Sequence, residues 1–173
     1  MRMRFILAMV LAAVLAVNAT VRSQERATIQ ALATVVSSLS IIGTNDLQFG
    51  TVTPGVSKAV DKNNVGFAGE WTISGTSGSE ISIDFTLPLQ LRTSDSLGLM
   101  DITFRATDAS YSDGTGSQGT PTGVLNPNGP DARRIGAGGQ MLMWIGGVVF
   151  PRISQTGGDY SAEIMLTVAY TGS

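Results

Sequence analysis

The sequence predicts an all-β protein, a β-sandwich of about eight short strands. Two observations support this fold class. Apolar residues alternate with polar residues in successive runs, which is the period of a β-strand with one buried face. Clusters of Gly, Pro, Asn and Asp separate these runs about every 8–12 residues, as they do between the strands of a sandwich. Beyond the N-terminal segment we find no convincing helical period.

Residues 1–23 are predicted to be a secretory signal peptide. Arg2 and Arg4 form a basic start, and residues 5–17 are an uncharged apolar run of 13 residues. This run is shorter than the roughly 20 residues that a membrane-spanning helix needs. An uncleaved N-terminal anchor is the alternative. No later apolar segment is long enough to cross a membrane, so we expect a secreted protein with no membrane segment after cleavage.

Residues 24–173 fit a single domain, residues 37–173, preceded by an N-terminal arm or first strand, residues 24–36. Removal of residues 1–23 leaves 8 Lys and Arg against 13 Asp and Glu, a net charge of −5. Nucleic-acid binding needs clustered positive charge, so this balance argues against it.

The chain contains no cysteine and no histidine. The absence of cysteine excludes disulfides, so the domain must be held by packing or by partners. Together the two absences exclude Cys/His zinc sites, haem ligation and His-based catalytic triads. We therefore predict a protein that is not an enzyme and that carries no cofactor.

The last strand is predicted over residues 160–170. Every second position is large or apolar, and these positions are Tyr160, Ala162, Ile164, Leu166, Val168 and Tyr170. A strand at this place must complete a sheet, and we expect it beside the first or second strand. Its free edge would then be available to a partner.

Alternation also follows the signal peptide at odd positions. The arm contributes Ala27, Ile29, Ala31, Ala33 and Val35 to this series, which continues to Ile41. A stretch of 15 residues would extend about 50 Å, whereas a typical strand has about 5–6 residues. Either two strands follow each other or the arm projects beyond the domain. An amphipathic helix is a third interpretation, which the β-branched run at residues 34–36 weakens. The arm is thus either a strand donated to a neighbour or an ordinary first strand with a frayed end.

Between the two ends, further strands are predicted over residues 46–52, 56–60, 70–74, 81–87, 99–106 and 140–150. The glycine-rich loop at residues 75–79 predicts a hairpin between the two strands that flank it. Gly146 and Gly147 predict a bulge or a close backbone approach. The aromatic residues expected to fill the inner layers are Phe49, Trp71, Phe85, Phe104, Trp144 and Tyr160.

Residues 107–139 carry eight glycines and three prolines. We predict a long surface loop with a short strand at residues 123–125. Asp108, Asp113 and Asp131 offer oxygen ligands of the kind that calcium prefers, but their spacing matches no calcium-binding loop, so solvated acids are the favoured interpretation.

Two other pairs of residues have simple explanations. Asp84 and Asp101 could form the carboxylate pair of a glycosidase, but nothing in the sequence brings them to one cleft. Trp71 and Trp144 could stack on sugars, but each is in phase with core residues of its strand.

Four blocks of sequence occur in an order that resembles a known family. They are the Leu-Gln-Phe-Gly-Thr-Val-Thr-Pro-Gly block at residues 47–55, the Trp-Thr-Ile-Ser-Gly block at residues 71–75 with its continuation through residues 81–88, the Ile-Gly-Gly block at residues 145–147, and the Gly-Asp-Tyr-Ser-Ala block at residues 158–162 that leads to Val-Ala-Tyr at residues 168–170. Together they resemble the secreted bacterial family labelled domain of unknown function 4402. That family is similar to chaperone–usher pilins and spore-coat-U-like proteins.

The resemblance implies an immunoglobulin-like, pilin-like sandwich exported through the periplasm to the cell surface or beyond. It implies a structural subunit of a filament or coat that assembles by β-strand addition, with copies of this chain or same-family subunits as partners. A periplasmic chaperone would pair with the last strand, where Gly158 and Tyr170 stand at the matching positions. This chain departs from the family because it lacks the pilin disulfide and has three residues after Tyr170.

The candidate self-assembly residues are Ala27, Ile29, Ala31, Ala33, Val35, Tyr160, Ile164, Leu166, Val168 and Tyr170. The alternative function is a monomeric secreted or periplasmic binding module. Such a module would resemble an adhesin and would recognise a glycan or a host surface through residues 107–139.

Overall fold

A computed structural model describes Gln30 and residues 38–172 of the chain. The elements described below all lie in one compact unit, residues 36–173. The predicted signal peptide lies outside the described residues. Of the predicted arm only Gln30 is described, so Ala27, Ile29, Ala31, Ala33 and Val35 also lie outside them.

The described residues form twelve β-strands and no helix, and accordingly none of them belongs to a helix that could span a bilayer. The strands are β1 (Ser40–Asn45), β2 (Lys58–Val60), β3 (Gly69–Ser74), β4 (Glu80–Thr86), β5 (Gln90–Arg92), β6 (Leu99–Thr103), β7 (Ala109–Ser112), β8 (Gly123–Leu125), β9 (Asp131–Arg134), β10 (Gln140–Ile145), β11 (Gly147–Phe150) and β12 (Met165–Tyr170).

The strands pair in three antiparallel sheets. Their orders are β1-β3-β10-β7-β8, β2-β11-β6-β5 and β12-β4-β9. The five-stranded and three-stranded sheets share the main apolar core, because Ile73 and Met143 of one belong to the same buried cluster as Ile83 and Leu166 of the other. The predicted all-β sandwich is confirmed, with twelve strands in place of about eight.

The final strand is shorter than predicted and has a different neighbour. Strand β12 spans Met165–Tyr170 and pairs with β4, whereas we expected it beside the first or second strand. Upstream of β12, Ile164 and Tyr160 are half-buried, but Ala162 between them is exposed, so alternate burial ends at Ile164. Residues 160–164 form one isolated β-bridge, between Ser161 and Arg92, and no ladder.

The predicted hairpin at residues 75–79 is wrong. Strands β3 and β4 lie in different sheets, and this loop carries the chain from one sheet to the other. The reason is that Ile73 before the loop and Ile81 after it are both fully buried in the same core, which they enter from opposite sides. The loop bonds to the connection between β9 and β10, where Gly75 N donates to Gly139 O and Gly78 N donates to Ile135 O.

The segment at residues 107–139 is also more ordered than predicted. It contains β7, β8 and β9, and of these only β8 was expected. Strand β7 was not predicted because its buried residues Ala109, Ser110 and Ser112 are small and form no apolar run in the sequence. Conversely, residues 46–52, predicted as a strand, pair with no strand, although Leu47 and Phe49 are half-buried in alternation.

The predicted close approach at Gly146 is confirmed. Gly146 lies between β10 and β11, where the chain passes from the five-stranded sheet to the four-stranded sheet. A Cβ at this position would collide with the carbonyl oxygen of Val60 and lie 2.7 Å from Lys62 N. The crossing therefore needs a residue without a side chain.

We expect Gly146→Ala to lower the free energy of unfolding by about 1–3 kcal/mol, because the backbone of Val60 and Lys62 would have to move. Urea denaturation of residues 24–173 measures the change. Gly138→Ala is the matched control, since a Cβ at Gly138 meets no atom within 4 Å. Equal urea midpoints for Gly146→Ala and Gly138→Ala would contradict the conclusion that the close backbone approach requires a glycine at residue 146.

Candidate functional site

A groove runs between two segments that belong to no sheet. Its first wall is formed by residues 46–52, which follow β1, and its second wall by residues 157–164, which precede β12. The volume of the groove is about 1050 Å³.

The floor of the groove is apolar. It includes Met100, Ile102 and Val149, the buried cluster of the four-stranded sheet. Phe49 from the first wall and Tyr160 from the second wall pack against this cluster. The walls therefore face each other above an apolar floor. A segment bound between them would be shielded from water on the side that contacts this floor.

The walls make few main-chain hydrogen bonds. In the first wall, Gln48 N donates to Phe67 O at 2.7 Å. In the second wall, Ser161 exchanges two hydrogen bonds of 2.9 Å with Arg92. Within the described part of the chain, residues 49–52 make no hydrogen bond to another main-chain group, although Thr51 O accepts one from Lys58 Nζ. Backbone N–H and C=O groups need partners when they are shielded from water, so these walls are suited to bind a strand.

Both walls continue into the longest edge strands of the described residues. Strands β1 and β12 have six residues each and pair on one side only, β1 with β3 and β12 with β4. The other edge strands are β2, β5, β8 and β9, with three or four residues each. Short edges offer little to an added strand, so the groove lies beside the edges best able to accept one.

Local hydrogen bonds fix the second wall. Gln155 Nε2 donates to the Tyr160 hydroxyl at 2.6 Å and to Leu99 O at 3.0 Å, and the Tyr160 hydroxyl donates to Thr156 O at 2.7 Å. Gly158 has a φ of 151°, which only glycine adopts readily, and it turns the chain into the wall. Tyr160 is thereby held as part of the floor.

Tyr170 connects the two edge strands beyond the groove. Its hydroxyl accepts a hydrogen bond from Thr76 N at 2.7 Å and donates to Ser38 O at 3.2 Å, which joins the end of β12 to the residues before β1. Gly75 leaves room for this contact, because a Cβ there would lie 2.6 Å from the hydroxyl oxygen. The edges are therefore tied together here, while the walls further along stay apart.

The predicted residues of the last strand divide into two groups. Tyr160 and Ile164 line the groove. Leu166, Val168 and Tyr170 pack in or against the main core, and Ile164 packs against it as well. The first wall was missed as part of a site, because its alternation predicted an ordinary strand. The glycine pair at residues 157–158 marks only the start of the second wall, so it does not separate the wall from β12.

The rim of the groove is acidic. Asp46, Asp159 and Glu163 line it and are exposed, whereas no Lys or Arg is among the residues that line it. The two ion pairs of the described residues lie elsewhere, Asp131 with Arg133 and Glu80 with Arg134. The three rim carboxylates therefore have no cation partner within the described part of the chain.

Each of the acidic residues considered as calcium ligands, Asp108, Asp113 and Asp131, has its own local hydrogen-bond partners. Asp131 is bonded to Arg133, and Asp108 accepts a hydrogen bond from Arg105 N. Asp113 accepts hydrogen bonds from the hydroxyls of Thr115 and Thr122, which lower the pKa of its carboxyl below the ordinary value. The described residues contain no group of three or more acids, His or Cys that could hold a metal ion.

The remaining candidates also lie apart. Asp84 is on β4 and Asp101 is on β6, in different sheets, and Asp101 accepts a hydrogen bond from Gln90. Trp144 is buried, with 2% of its surface exposed. Trp71 lines one end of the groove and contacts Phe85 edge to face, with ring centroids 5.9 Å apart.

Comparison with known proteins adds no relative, since no family model and no curated protein matches the chain.

We expect Tyr170→Phe to lower the free energy of unfolding by about 0.5–1.5 kcal/mol, because the hydrogen bonds to Thr76 and Ser38 are lost. Thermal or urea unfolding measures the change. Tyr111→Phe is the control, because the Tyr111 hydroxyl makes no hydrogen bond within the described part of the chain. A loss of the same size in both variants would mean that the Tyr170 hydroxyl does not tie the two edges.

Proposed function

We propose that this chain is a non-catalytic structural subunit of a bacterial surface filament or coat, and that it assembles by β-strand addition. In this proposal the groove of one copy accepts the N-terminal arm, residues 24–36, of another copy or of a same-family subunit. The observation that carries the proposal is the groove itself, which has two walls with few main-chain hydrogen bonds above an apolar floor.

An extended strand matches the chemistry of this site. Main-chain hydrogen bonds to the walls would supply affinity, and alternate side chains on the floor would supply specificity. Residues 46–52 would extend over about 23 Å, and residues 27–35 over about 30 Å, so one strand of the arm is long enough to fill the groove.

The alternation of the arm supports the same assignment. When Ile29 faces the floor, so do the other odd-numbered residues of the arm, which are Ala27, Ala31, Ala33 and Val35. The floor already holds Phe49 and Tyr160, so small side chains fit above it. Ile29 and Val35 would be the larger anchors near the two ends of the strand.

The proposal extends to export and to a partner during export. A secreted subunit with an unfilled groove exposes apolar surface and unpaired main chain, which favour aggregation. A periplasmic chaperone that pairs with the free edge at β12 would protect it before assembly at the cell surface. The resemblance of residues 39–170 to pilin-like proteins supports this part of the proposal.

Strand addition predicts that substitutions at two neighbouring positions of the arm, Ile29 and Gln30, have different effects on assembly. We expect Ile29→Asn to abolish assembly of residues 24–173, or to weaken it at least tenfold, because it places a polar side chain on the apolar floor. Sedimentation velocity and electron microscopy measure the size and form of the assemblies. Gln30→Asn, which changes the opposite side of the strand, should leave assembly intact.

A truncated chain, residues 37–173, completes the test. If the full and truncated chains are both folded monomers, assembly by strand addition is wrong and the alternative, a monomeric module that binds a glycan or a host surface, gains support. If the full chain assembles and the truncated chain does not, the alternative loses support. Circular dichroism of each variant shows whether it is folded.

A further inference from the structure

We infer that the groove selects its strand by charge as well as by shape, and that its rim carboxylates bind a basic residue that flanks the apolar segment. In this chain that residue is Arg26. The inference rests on the proposed function, since it concerns how the same groove recognises the arm.

Two of the three rim carboxylates, Asp46 and Glu163, lie at one end of the groove, whereas Asp159 is near the start of the second wall, towards the other end. Gly43 of β1 pairs with Trp71 of β3, and the Trp71 ring contacts Phe85, which pairs with Leu166 of β12. This row of contacts crosses from one edge strand to the other. Asp46, which directly follows β1, and Glu163, which shortly precedes β12, therefore lie at the same end.

The positive groups near the groove lie further along it. Lys58 Nζ donates to Thr51 O at 2.9 Å, which places this ammonium at the opposite end of the first wall. Arg92 pairs through its main chain with Ser161, in the middle of the second wall. Neither cation forms an ion pair among the described residues with Asp46 or Glu163. A cleft lined by carboxylates attracts positive charge, so this end favours a cationic group on the incoming strand.

The arm carries one positive side chain at a suitable place. Arg26 is the only Lys or Arg in residues 24–37, and it directly precedes the alternating segment. Successive side chains of a strand point to opposite sides. When Ile29 faces the floor, Arg26 is therefore on the outward side with Thr28 and Gln30, where the rim carboxylates lie. Glu25 falls on the other side of the strand.

The groove and the arm thus match in two independent properties. The apolar floor matches the odd-numbered residues, and the acidic end matches the residue at the start of the arm. The match also fixes which end of the arm lies where, because Arg26 would be held at the end formed by Asp46 and Glu163. An arm inserted the opposite way would leave Asp46 and Glu163 unpaired and bring Arg26 towards Lys58 and a single rim carboxylate, Asp159.

We expect Arg26→Glu in residues 24–173 to weaken assembly about fivefold, as the loss of an exposed ion pair does, and we expect Arg26→Lys to preserve assembly. Analytical ultracentrifugation over a concentration series gives the association constants. The difference between wild type and Arg26→Glu should shrink in 1 M NaCl, where the screening length is only about 3 Å. Arg105→Glu, the same charge change at an exposed site on the domain, is the control.

A charge swap makes the test specific to the groove. Adding Glu163→Lys to Arg26→Glu should restore at least half of the lost association, whereas adding Asp84→Lys, on the outer face of β4, should restore none beyond the effect of net charge. If Arg26→Glu assembles like wild type while Ile29→Asn does not, the charge inference is overturned and strand addition stands. If neither substitution changes assembly, both are overturned.

Discussion

Two lengths of main chain without strand partners face each other across an apolar floor, and this arrangement constrains the rest of the molecule. Backbone N–H and C=O groups beside an apolar surface cost free energy unless water or another strand satisfies them. A strand laid in the groove would offer hydrogen bonds to both walls, above Met100, Ile102 and Val149, which the domain itself already buries.

The main core is complete because the chain crosses repeatedly between the sheets that face each other. Gly146 takes the chain from β10 to β11, and the loop after Gly75 takes it from β3 to β4. Each crossing needs a glycine, since backbone or side-chain atoms occupy the space where a Cβ would lie. Without any disulfide, buried residues contributed from both sides of the sandwich hold these crossings in place.

The two ends of the groove differ in both geometry and charge. Beyond one end Tyr170 ties β12 to the residues before β1, and close to this end lie Asp46 and Glu163. Towards the other end Lys58 is bonded to the first wall, which is not tied to the second. A groove with distinct ends can discriminate the direction of a bound strand, which an apolar floor alone does poorly because alternate apolar side chains look similar from either end.

The sequence by itself determined the all-β class, the place of most strands and the need for a glycine at Gly146. Those features depend on local alternation and on residues with special backbone freedom, which a single sequence displays. Only the tertiary structure decided which strands are neighbours. The alternation at Leu47 and Phe49 is the same as that of a paired strand, and the sequence of residues 160–164 alternates in phase with β12, yet neither stretch has a ladder. Alternation with a period of two shows which side of the chain is buried. It does not show which strand the chain pairs with, because strand pairing depends on segments that are distant in sequence. The groove lies where two alternating stretches have a buried side but no paired strand.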